Sequence, residues 1–340
     1  MAPIVRRAAS LKALNSFAID VRADRLVELR ELAELPAALE LLRAHPPALV
    51  LGGGSNLLFT RDPPGTVLHV ALAGRRVLGA SGDAVQVEAG AGENWHAFVG
   101  WTLEHGLCGL ENLSLIPGSV GASPIQNIGA YGVEMCERFD SLDAVSLRDG
   151  ASRRFDRADC AFGYRDSVFK QPGGAEWLVT AVRFRLSRAP QLCLDYGELR
   201  DELRVLGIAT PTARDVAQAV CAIRRRKLPD PATIGNAGSF FKNPIVECAL
   251  ADRLRAAHPG MPVHAGALPE QAKLSAAWLI DRCGWKGYRD GDAGVHQQHA
   301  LVLVNHGHAS GAQILALAER ISASVRQRFG IELEREPALA

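Results

Sequence analysis

The sequence lacks the charge and apolar runs that mark several large protein classes. Lys and Arg number 38 against 37 Asp and Glu, so the formal net charge is only +1. Proteins that coat nucleic acid or an anionic membrane usually carry a larger positive excess. No apolar run approaches the roughly 20 residues that cross a bilayer, and the stretch after Arg6 and Arg7 lacks the apolar core of a secretory signal. We therefore expect neither a nucleic-acid nor a membrane partner.

Paired cysteine motifs are also missing. The seven cysteines are scattered and form no C-x-x-C pair. An odd number without paired spacing argues against a disulfide framework and against a zinc site, whereas free cysteines commonly serve as small buried hydrophobes. We therefore expect no metal site, and a cytoplasmic, reducing location.

The remaining composition is that of an ordinary folded protein. Hydrophobic residues make up 48% and charged residues 22% of 340 residues, which excludes a disordered chain and gives a length-based expectation of two domains. Helical and strand patterns alternate at both ends of the chain, so we predict a mixed, α+β class. The predicted helices cover 30–44, 94–105, 211–227, 272–283 and 311–329. The predicted strands cover 48–51, 66–71, 84–88, 143–147, 178–186, 293–296, 300–304 and 331–333.

Glycine is abundant, with 33 residues, and is concentrated in three clusters. The first, Gly52-Gly-Gly-Ser-Asn56, follows a predicted strand, where backbone N–H groups can converge on a phosphate. The third position of a G-x-G-x-x-G motif is Leu57, and no lysine follows a glycine, so neither a dinucleotide fold nor a P-loop is supported. A structural turn and a ligand-binding loop both stay open here.

The second and third clusters lie in longer segments. Residues 116–132 form a loop without apolar periodicity, and long ordered loops are usually functional. Residues 235–244 present Ser239, Lys242 and Asn243 on a glycine-containing turn. A nucleophilic serine would need a G-x-S-x-G elbow, which is absent, so Ser239 is predicted to be a proton donor.

Several of these segments together resemble a known family. They are GGGSNLLF (52–59), GAGENWH (90–96), GLENLSLIPGSVGASPIQNIGAYG (109–132), FGYRDSVFK (162–170), RKLPDP (226–231), GNAGSFFKNP (235–244) and KLSAAWLID (273–281). They are similar to the UDP-N-acetylenolpyruvoylglucosamine reductases, over about residues 11–336. Leu194-Asp-Tyr-Gly-Glu198 resembles the subgroup that folds a tyrosine-bearing loop over the substrate.

The resemblance implies an α+β fold with three domains. Residues 11–70 and 71–210 would form a two-part FAD-binding unit of the vanillyl-alcohol-oxidase type, and residues 211–336 a C-terminal substrate-binding domain. Some relatives of this fold bind flavin covalently through a histidine in the first glycine loop; Ser55 and Asn56 stand there instead, so noncovalent FAD is expected. The implied FAD-binding residues are Gly52, Gly53, Gly54, Ser55, Asn56, Pro117, Gly118, Ser119, Gly121, Ala122, Gln126, Asn127 and Gly129.

The resemblance also implies the reaction. NADPH reduces the FAD and leaves, and UDP-N-acetylglucosamine enolpyruvate then takes a hydride at its methylene carbon. Arg165 would stabilise the resulting enolate-like charge, Glu336 would assist in its protonated form, and Ser239 would protonate the adjacent carbon. The implied substrate-binding residues are Tyr131, Tyr196, Arg224, Lys227, Asn243 and His299. The chain is expected to act as a monomer on this small-molecule substrate.

Some residues keep a second interpretation. Residues 224–227 could be a solvated helix end, Tyr164 fits core packing as well as substrate contact, and the role of His299 near the diphosphate is open. Trp95 and Trp278 lie on apolar helix faces and are predicted to be core residues. Pro337 directly follows Glu336 and cannot donate a ladder hydrogen bond, which puts the anchoring of this glutamate in question.

Two rival functions follow from the same residues. A flavin oxidase of the same fold is disfavoured by the missing covalent histidine and by the GNAGSFFKNP segment. A nucleotide-sugar-binding relative that has lost catalysis is disfavoured because Arg165, Ser239 and Glu336 are all retained.

Overall fold

The computed structural model describes all residues, Met1–Ala340, and has mixed helix and strand content. The strands are β1 Ile4–Ser10, β2 Arg22–Leu29, β3 Pro47–Leu51, β4 Leu57–Leu58, β5 Thr66–Val70, β6 Arg75–Ser81, β7 Ala84–Gly90, β8 Gly129–Ala130, β9 Val133–Glu134, β10 Phe139–Ser146, β11 Ser152–Asp156, β12 Trp177–Ser187, β13 Gly235–Asn236, β14 Ile245–Glu247, β15 Val263–Ala265, β16 Gln271–Leu274, β17 Arg289–Asp290, β18 Ala293–Val295, β19 Leu303–Asn305 and β20 Ala338–Leu339. The helices are α1 Leu35–Ala44, α2 Trp95–Glu104, α3 Arg157–Cys160, α4 Leu199–Val205, α5 Ala213–Lys227, α6 Cys248–Ala257, α7 Ala276–Arg282 and α8 Gly311–Phe329.

The chain divides into two compact units. Unit 1 comprises Met1–Ala9, Arg22–Gly54 and Pro63–Arg226, and unit 2 comprises Ser10–Val21, Ser55–Asp62 and Lys227–Ala340. The three-domain boundaries implied by the family resemblance stay a prediction. No helix is both long and apolar enough to cross a membrane, and all seven cysteines are free.

Unit 1 contains two sheets. In the first, with the order β1-β2-β5-β3, strands β2 and β3 both run parallel to β5. The second is an antiparallel sheet with the order β11-β10-β12-β7-β6. The carboxyl end of β3 leads directly into Gly52, so the first glycine loop begins where a parallel strand ends.

Helix α2 joins the second sheet through an aromatic cluster. Trp95 and Phe98 pack on Phe184 of β12, with ring centroids 5.8 and 5.3 Å apart, and all three are at most 1% exposed. The indole N–H of Trp95 donates to the Leu113 carbonyl at 2.9 Å. Trp95 is therefore a core residue, as predicted, and it also fixes the start of the segment that leads into the second glycine cluster.

Unit 2 is built on shorter strands. Its antiparallel sheet has the order β13-β19-β18-β17 and a second sheet the order β14-β16-β15, while β20 runs parallel to β4. Helix α8 begins directly against Phe59, because a Cβ on Gly311 would lie 1.7 Å from the Phe59 carbonyl oxygen. Trp278 of α7 is half-buried against Phe329, with ring centroids 5.8 Å apart.

Several predicted element ends are confirmed by their capping contacts. The Asn94 side chain accepts from the Ala97 amide at the start of α2. Thr212 and Asp215 form reciprocal hydrogen bonds at the start of α5. Ser310 caps the start of α8, and Gly330, with a φ of 69°, caps its end. These ends were predictable because capping residues act within one turn of the chain.

The predicted helix over 30–44 is wrong at its beginning. Strand β2 continues to Leu29, a short 3₁₀ helix covers Leu32–Glu34, and α1 begins only at Leu35. The buried Glu34 carboxylate accepts from the Arg30 and Glu31 amides at 2.8 and 3.1 Å. Pro36 then falls in the first turn of α1, where its missing N–H costs no helical hydrogen bond.

Near the carboxyl end, the predicted helix over 272–283 is wrong at its beginning and the predicted strand over 331–333 is wrong. Residues 271–274 form strand β16, whose side chains alternate between half-buried and buried, and α7 starts after the Ser275 cap. No strand forms over 331–333; the last strand is Ala338–Leu339, which pairs with Leu57–Leu58. The partner of this strand lies some 280 residues earlier, so no local pattern could reveal it.

An ion-pair network crosses the antiparallel sheet of unit 1. Arg183 of β12 is 6% exposed and forms ion pairs with Asp143 of β10 and with Glu88 of β7, the latter at 2.6 Å. Arg154 of β11 adds a contact to Asp143 at 2.9 Å. Hydrogen bonding to Arg183, with Arg154 contributing, lowers the pKa of Asp143 from 3.8 to about 2.

This depressed pKa predicts a pH-dependent contribution to stability. The contribution is complete above the ordinary pKa of 3.8 and is lost as the pH falls towards about 2. Since 35% of the Asp143 side chain is exposed, solvent screening reduces the expected contribution to about 1 kcal/mol. Asp143→Asn should therefore lower the free energy of unfolding at pH 6 by that amount, and the gap to wild type should narrow below pH 4 in urea titrations.

A matched control is Asp252→Asn, which removes an exposed pair with Arg255 at 3.0 Å. Exposed pairs of this kind contribute between about 0 and 1 kcal/mol. A gap between Asp143→Asn and wild type that stays constant from pH 6 to pH 2 would contradict the assignment.

Candidate active site

The first and second glycine clusters touch through their backbones in unit 1. A Cβ on Gly53 would lie 2.9 Å from the Gly118 Cα, and a Cβ on Gly52 would lie 2.5 Å from the Ser119 hydroxyl oxygen. At Gly53 the neighbouring atom is backbone, so only glycine permits so close an approach there. The two loops therefore form one continuous backbone surface.

This surface offers hydrogen-bond donors without partners. The amides of Gly53, Gly54, Gly118 and Ser119 donate to no acceptor of the chain, although Gly54 and Ser119 are buried residues. The hydroxyl of Ser114, two residues before the second loop, is buried and also lacks a partner. Buried polar groups are normally paired, so these donors fit a polar or anionic ligand, as the FAD implied by the resemblance would be.

The other predicted cofactor residues of the second loop are partly committed to the fold. Gly121 donates to the Ala91 carbonyl at 2.8 Å, and a Cβ there would lie 2.5 Å from the Ala91 Cβ. Ala122 ends a 3₁₀ helix at Val120–Ala122. Pro117 is exposed and Gln126 half-buried.

Asn127 shapes this loop from inside. It is fully buried, with a φ of 45°. Its side-chain amide donates to Glu134 and to the Gly163 carbonyl, and its side-chain oxygen accepts from the Cys136 amide. Because the side chain already makes these three bonds, Asn127 can serve a cofactor only by fixing the loop.

Arg165 reaches the same loop from a tight turn. It has a φ of 55°, and the turn is held by paired backbone bonds between Gly163 and Asp166. The Arg165 guanidinium donates to the Gly129 carbonyl at 2.9 Å and lies 5.2 Å from the ring centre of Tyr164. Tyr164 is half-buried rather than a core residue. A cation is thus held at the Gly129 end of the second loop.

A second cation lies at the other end of this loop. Arg224 is half-buried and its Nε donates to the Leu115 carbonyl at 3.2 Å. Leu115 has a φ of 59°, and its amide donates to His96 Nδ1 at 3.0 Å. Burial, with help from Arg225 and Arg224, lowers the pKa of His96, so His96 stays neutral and can accept this bond. Arg224 is therefore a half-buried residue that is hydrogen-bonded within the fold, and not only a solvated residue at the end of α5.

Tyr131 and Tyr196 are brought together in unit 1. Their rings meet edge to face with centroids 6.4 Å apart. Burial raises the pKa of Tyr131, which keeps its hydroxyl protonated at neutral pH, whereas Tyr196 is 50% exposed. Two of the predicted substrate residues of unit 1 are thus a half-buried tyrosine and an exposed one in ring contact.

Unit 2 brings Ser239 and Glu336 onto neighbouring stretches of chain. The Glu336 amide donates to the Phe240 carbonyl at 3.0 Å, and the Lys242 amide donates to the Glu334 carbonyl at 2.8 Å. Lys242 also forms an ion pair with the Glu334 side chain. Two of the three predicted catalytic residues are therefore held by one antiparallel contact.

Glu336 is anchored on its other side despite Pro337. The Asn56 side-chain amide donates to the Glu336 carbonyl at 3.2 Å, and the Asn56 backbone carbonyl accepts from the Ala338 amide at the same distance. The chain is therefore hydrogen-bonded at the residues on both sides of Pro337, so the missing N–H of the proline does not leave the segment unanchored. The concern that Pro337 would leave the glutamate unanchored is thus wrong.

The remaining predicted substrate residues of unit 2 differ in environment. Lys227 ends α5 and is exposed, and the Asn243 side-chain oxygen accepts from the Ala276 amide at 3.0 Å. Burial, then the charge of Lys227, lowers the pKa of His299 to about 4. His299 is therefore neutral at pH 7 and can offer hydrogen bonds but no charge. No group of three or more His, Cys, Asp or Glu side chains could hold a metal ion.

Two supporting residues were missed by the sequence analysis. Asn236 is 2% exposed, and its side-chain oxygen accepts from the Gly238 amide at 2.9 Å, just before Ser239. His96 supports the second loop through Leu115. Both lie inside segments that carry the family resemblance, but only the folded contacts reveal what they hold.

The contact between the glycine loops gives a direct prediction for cofactor binding. Gly53→Ala should force the loops apart at a cost of about 1–3 kcal/mol, which corresponds to FAD binding weakened about 5- to 150-fold. The measurement is fluorescence titration of the apoprotein with FAD. Gly79→Ala is the matched control, because a Cβ at Gly79 meets no atom within 4 Å. An unchanged Kd for Gly53→Ala would contradict the proposed location of the flavin.

Comparisons with known proteins identify matching families for both parts of the chain. A family profile described as FAD binding domain matches residues 23–156. A second, described as UDP-N-acetylenolpyruvoylglucosamine reductase, C-terminal domain, matches residues 230–340.

Whole-chain relatives agree with these matches. The UDP-N-acetylenolpyruvoylglucosamine reductase of Pseudomonas aeruginosa is 59% identical over 334 residues, covering 97% of both chains. The reductase of the same name from Chromobacterium violaceum is 54% identical, again over 97% of both chains. The crystal structure of the Thermus caldophilus enzyme of this name has a TM-score of 0.68 and 28% identity, covering 99% of both chains.

Proposed function

Because the chain belongs to the UDP-N-acetylenolpyruvoylglucosamine reductase family, we propose that it is an FAD-dependent oxidoreductase of peptidoglycan synthesis. It reduces UDP-N-acetylglucosamine enolpyruvate to UDP-N-acetylmuramate with NADPH as the hydride donor. The observation that carries this proposal is the 59% identity to a reductase of this name over 97% of both chains. The predicted fold class, an FAD-binding unit followed by a C-terminal substrate-binding domain, is confirmed.

The two touching glycine loops would hold the flavin. The unpartnered amides of Gly53, Gly54, Gly118 and Ser119 support this assignment, as does the unpartnered Ser114 hydroxyl. FAD, when bound, stores two electrons from NADPH and delivers them as hydride. The absence of histidine between Gly52 and Asn56 supports noncovalent binding.

Arg165 would stabilise the charge that develops on the substrate carboxylate. Hydride addition to the methylene carbon moves an electron pair towards the carboxylate, and fixed donors aimed at such charge are worth several kcal/mol. The position of the Arg165 guanidinium is fixed by its hydrogen bond to the Gly129 carbonyl, at 2.9 Å. The planar fork of N–H donors on a guanidinium matches the geometry of a carboxylate.

Ser239 would give its hydroxyl proton to the carbon next to the methylene carbon, which completes the reduction. A serine hydroxyl is a weak acid, so it needs a cation or a donor to favour its oxygen once the proton leaves. Lys242 lies three residues away, and Glu336 is held beside this segment through the Phe240 carbonyl. In its protonated form Glu336 would assist by hydrogen bonding.

A few side chains would bind the diphosphate of the substrate. Arg224 and Lys227 lie three residues apart on α5, a spacing that puts both on one side of a helix. Arginine and lysine together suit two phosphates. The neutral His299 would add a hydrogen bond, and Tyr131, Tyr196 and Asn243 are proposed as the further substrate contacts.

We also propose that the chain acts as a monomer in the cytoplasm without nucleic-acid or membrane partners. The net charge of +1 and the seven free cysteines support this, since free thiols persist in reducing compartments.

The first experiment is to purify the protein and characterise its flavin. We expect a yellow protein whose FAD is released into the supernatant by acid precipitation, because the binding is noncovalent. A colourless protein that does not bind added FAD would contradict the proposal. To separate the oxidase alternative, the NADPH-reduced protein is exposed to substrate or to air; an oxidase would be reoxidised faster by air.

A further inference from the structure

One buried side chain outside the predicted site joins the two segments that carry its tyrosines. Asn112 lies in the 3₁₀ helix Glu111–Leu113 and is 2% exposed. Its side-chain amide donates to the Tyr131 carbonyl at 2.9 Å and to the Cys193 carbonyl at 2.8 Å. Since both neighbours are carbonyl oxygens, only the NH₂ end of the side chain can face them.

No other conventional donor serves these two carbonyls. The only other contact is the Cys193 thiol, 3.8 Å from the Tyr131 carbonyl. Loss of the Asn112 amide would therefore leave two half-buried carbonyl groups without a partner, which is costly.

The segment that Asn112 holds has little backbone support of its own. From Gln191 to Gly197 no backbone amide donates a hydrogen bond within the chain. The segment is retained by half-buried Leu192 and Leu194, which pack against the helices α4 and α5, and by an ion pair between Asp195 and Arg200.

The held segment and the Tyr131 turn fit closely together. Gly132 has a φ of 81°, and a Cβ there would lie 3.1 Å from the Cys193 Sγ and 3.2 Å from the Tyr196 Cβ. The rings of Tyr131 and Tyr196 meet edge to face in this position. The two Asn112 bonds thus fix which part of the segment faces the turn.

We propose that Asn112 is a positioning residue, which acts through the backbone of residues 191–197 to hold Tyr196 beside Tyr131 for the nucleotide-sugar substrate. The proposal rests on the proposed function for its substrate. It assigns Asn112 no contact with the reacting atoms. Binding of the substrate should therefore suffer when Asn112 is lost, while reduction of the flavin by NADPH should not.

The kinetic test compares Asn112→Ala with wild type. We expect the KM for UDP-N-acetylglucosamine enolpyruvate to rise about tenfold, as for lost buried hydrogen bonds, with kcat and the rate of flavin reduction by NADPH within about twofold. In a Tyr196→Ala background, Asn112→Ala should raise the KM little further, because both substitutions remove the same contribution of Tyr196 to substrate binding. The control is Gln86→Ala, which removes a side-chain amide bond to Asp140 at 2.7 Å in the same unit.

A second readout does not depend on turnover. Cys193 is half-buried, whereas Cys160 is fully buried. Asn112→Ala should increase the labelling of Cys193 by maleimide several-fold, as measured by mass spectrometry. Cys160 should stay unlabelled, which distinguishes local release of the segment from unfolding of the protein. If the alanine variant does not fold, Asn112→Ser serves in its place.

The outcomes separate the two proposals. A wild-type protein that cannot reduce the enolpyruvyl substrate, together with a variant that exposes Cys193, refutes the proposed function but supports the holding of the segment. An active wild type whose variant changes neither KM nor Cys193 labelling overturns the inference. Exposure of Cys193 without a change in KM, or effects of Asn112→Ala and Tyr196→Ala that simply add, overturns the positioning role as well.

Discussion

Ser239→Ala is expected to leave flavin reduction by NADPH intact and to slow reoxidation by the enolpyruvyl substrate about 10²- to 10⁴-fold, the usual contribution of a general acid. The reason is that Ser239 alone would supply the proton to the carbon beside the methylene group. NADPH reduces the flavin without this proton. The two half-reactions should therefore respond differently to one substitution.

The measurement is anaerobic stopped-flow absorbance of the flavin in each half-reaction. Ser310→Ala is the control, because it removes a helix cap at α8 and should cost about 1 kcal/mol of stability without affecting either half-reaction. Normal reoxidation of Ser239→Ala by the substrate would show that Ser239 is not the proton donor.

Arg165→Lys is expected to reduce the rate of substrate reduction about 10²- to 10³-fold, as for loss of one oriented donor at a developing anion. Lysine keeps the positive charge but lacks the planar fork. It cannot both bond the Gly129 carbonyl and present paired donors to a carboxylate. The backbone φ of 55° at this position is equally unfavourable for either side chain, so the comparison isolates the guanidinium.

Steady-state kinetics with the enolpyruvyl substrate check this prediction, with flavin reduction by NADPH measured in parallel. Arg153→Lys is the matched control, since Arg153 pairs with Asp159 at 2.7 Å and its side chain is 50% exposed. If Arg165→Lys retained the wild-type rate, charge alone would suffice and the geometric role of Arg165 would be wrong.

The sequence predicted the parts of the fold that depend on neighbouring residues. The start of α2 at Asn94 and the end of α8 at Gly330 follow from capping, which acts within a turn. The run of Leu, Ala and Glu from residue 30 predicts a start for α1 that is too early, whereas Pro36, which suits the first turn of a helix, indicates the observed start at Leu35. The polar–apolar alternation of Gln271-Ala-Lys-Leu274, the sequence signal for β16, covers only four residues, too few to exclude a helix.

The candidate site depended more on long-range contacts. The family resemblance implies that Ser239 and Glu336 serve one reaction, yet only the fold shows that the Glu336 amide donates to the Phe240 carbonyl. The anchoring of Glu336 by Asn56 joins residues 280 positions apart. Likewise, the need for glycine at position 53 comes from the Gly118 backbone. A single sequence contains no local signal for such contacts.

The most direct test of the proposed function is a single anaerobic turnover of the wild-type protein. The bound flavin is first reduced with one equivalent of NADPH, and UDP-N-acetylglucosamine enolpyruvate is then added in the absence of oxygen. The account predicts that the absorbance spectrum of oxidised flavin returns and that the product is heavier than the substrate by two hydrogen atoms. A flavin that stays reduced with this substrate, but is reoxidised on admitting air, would contradict it.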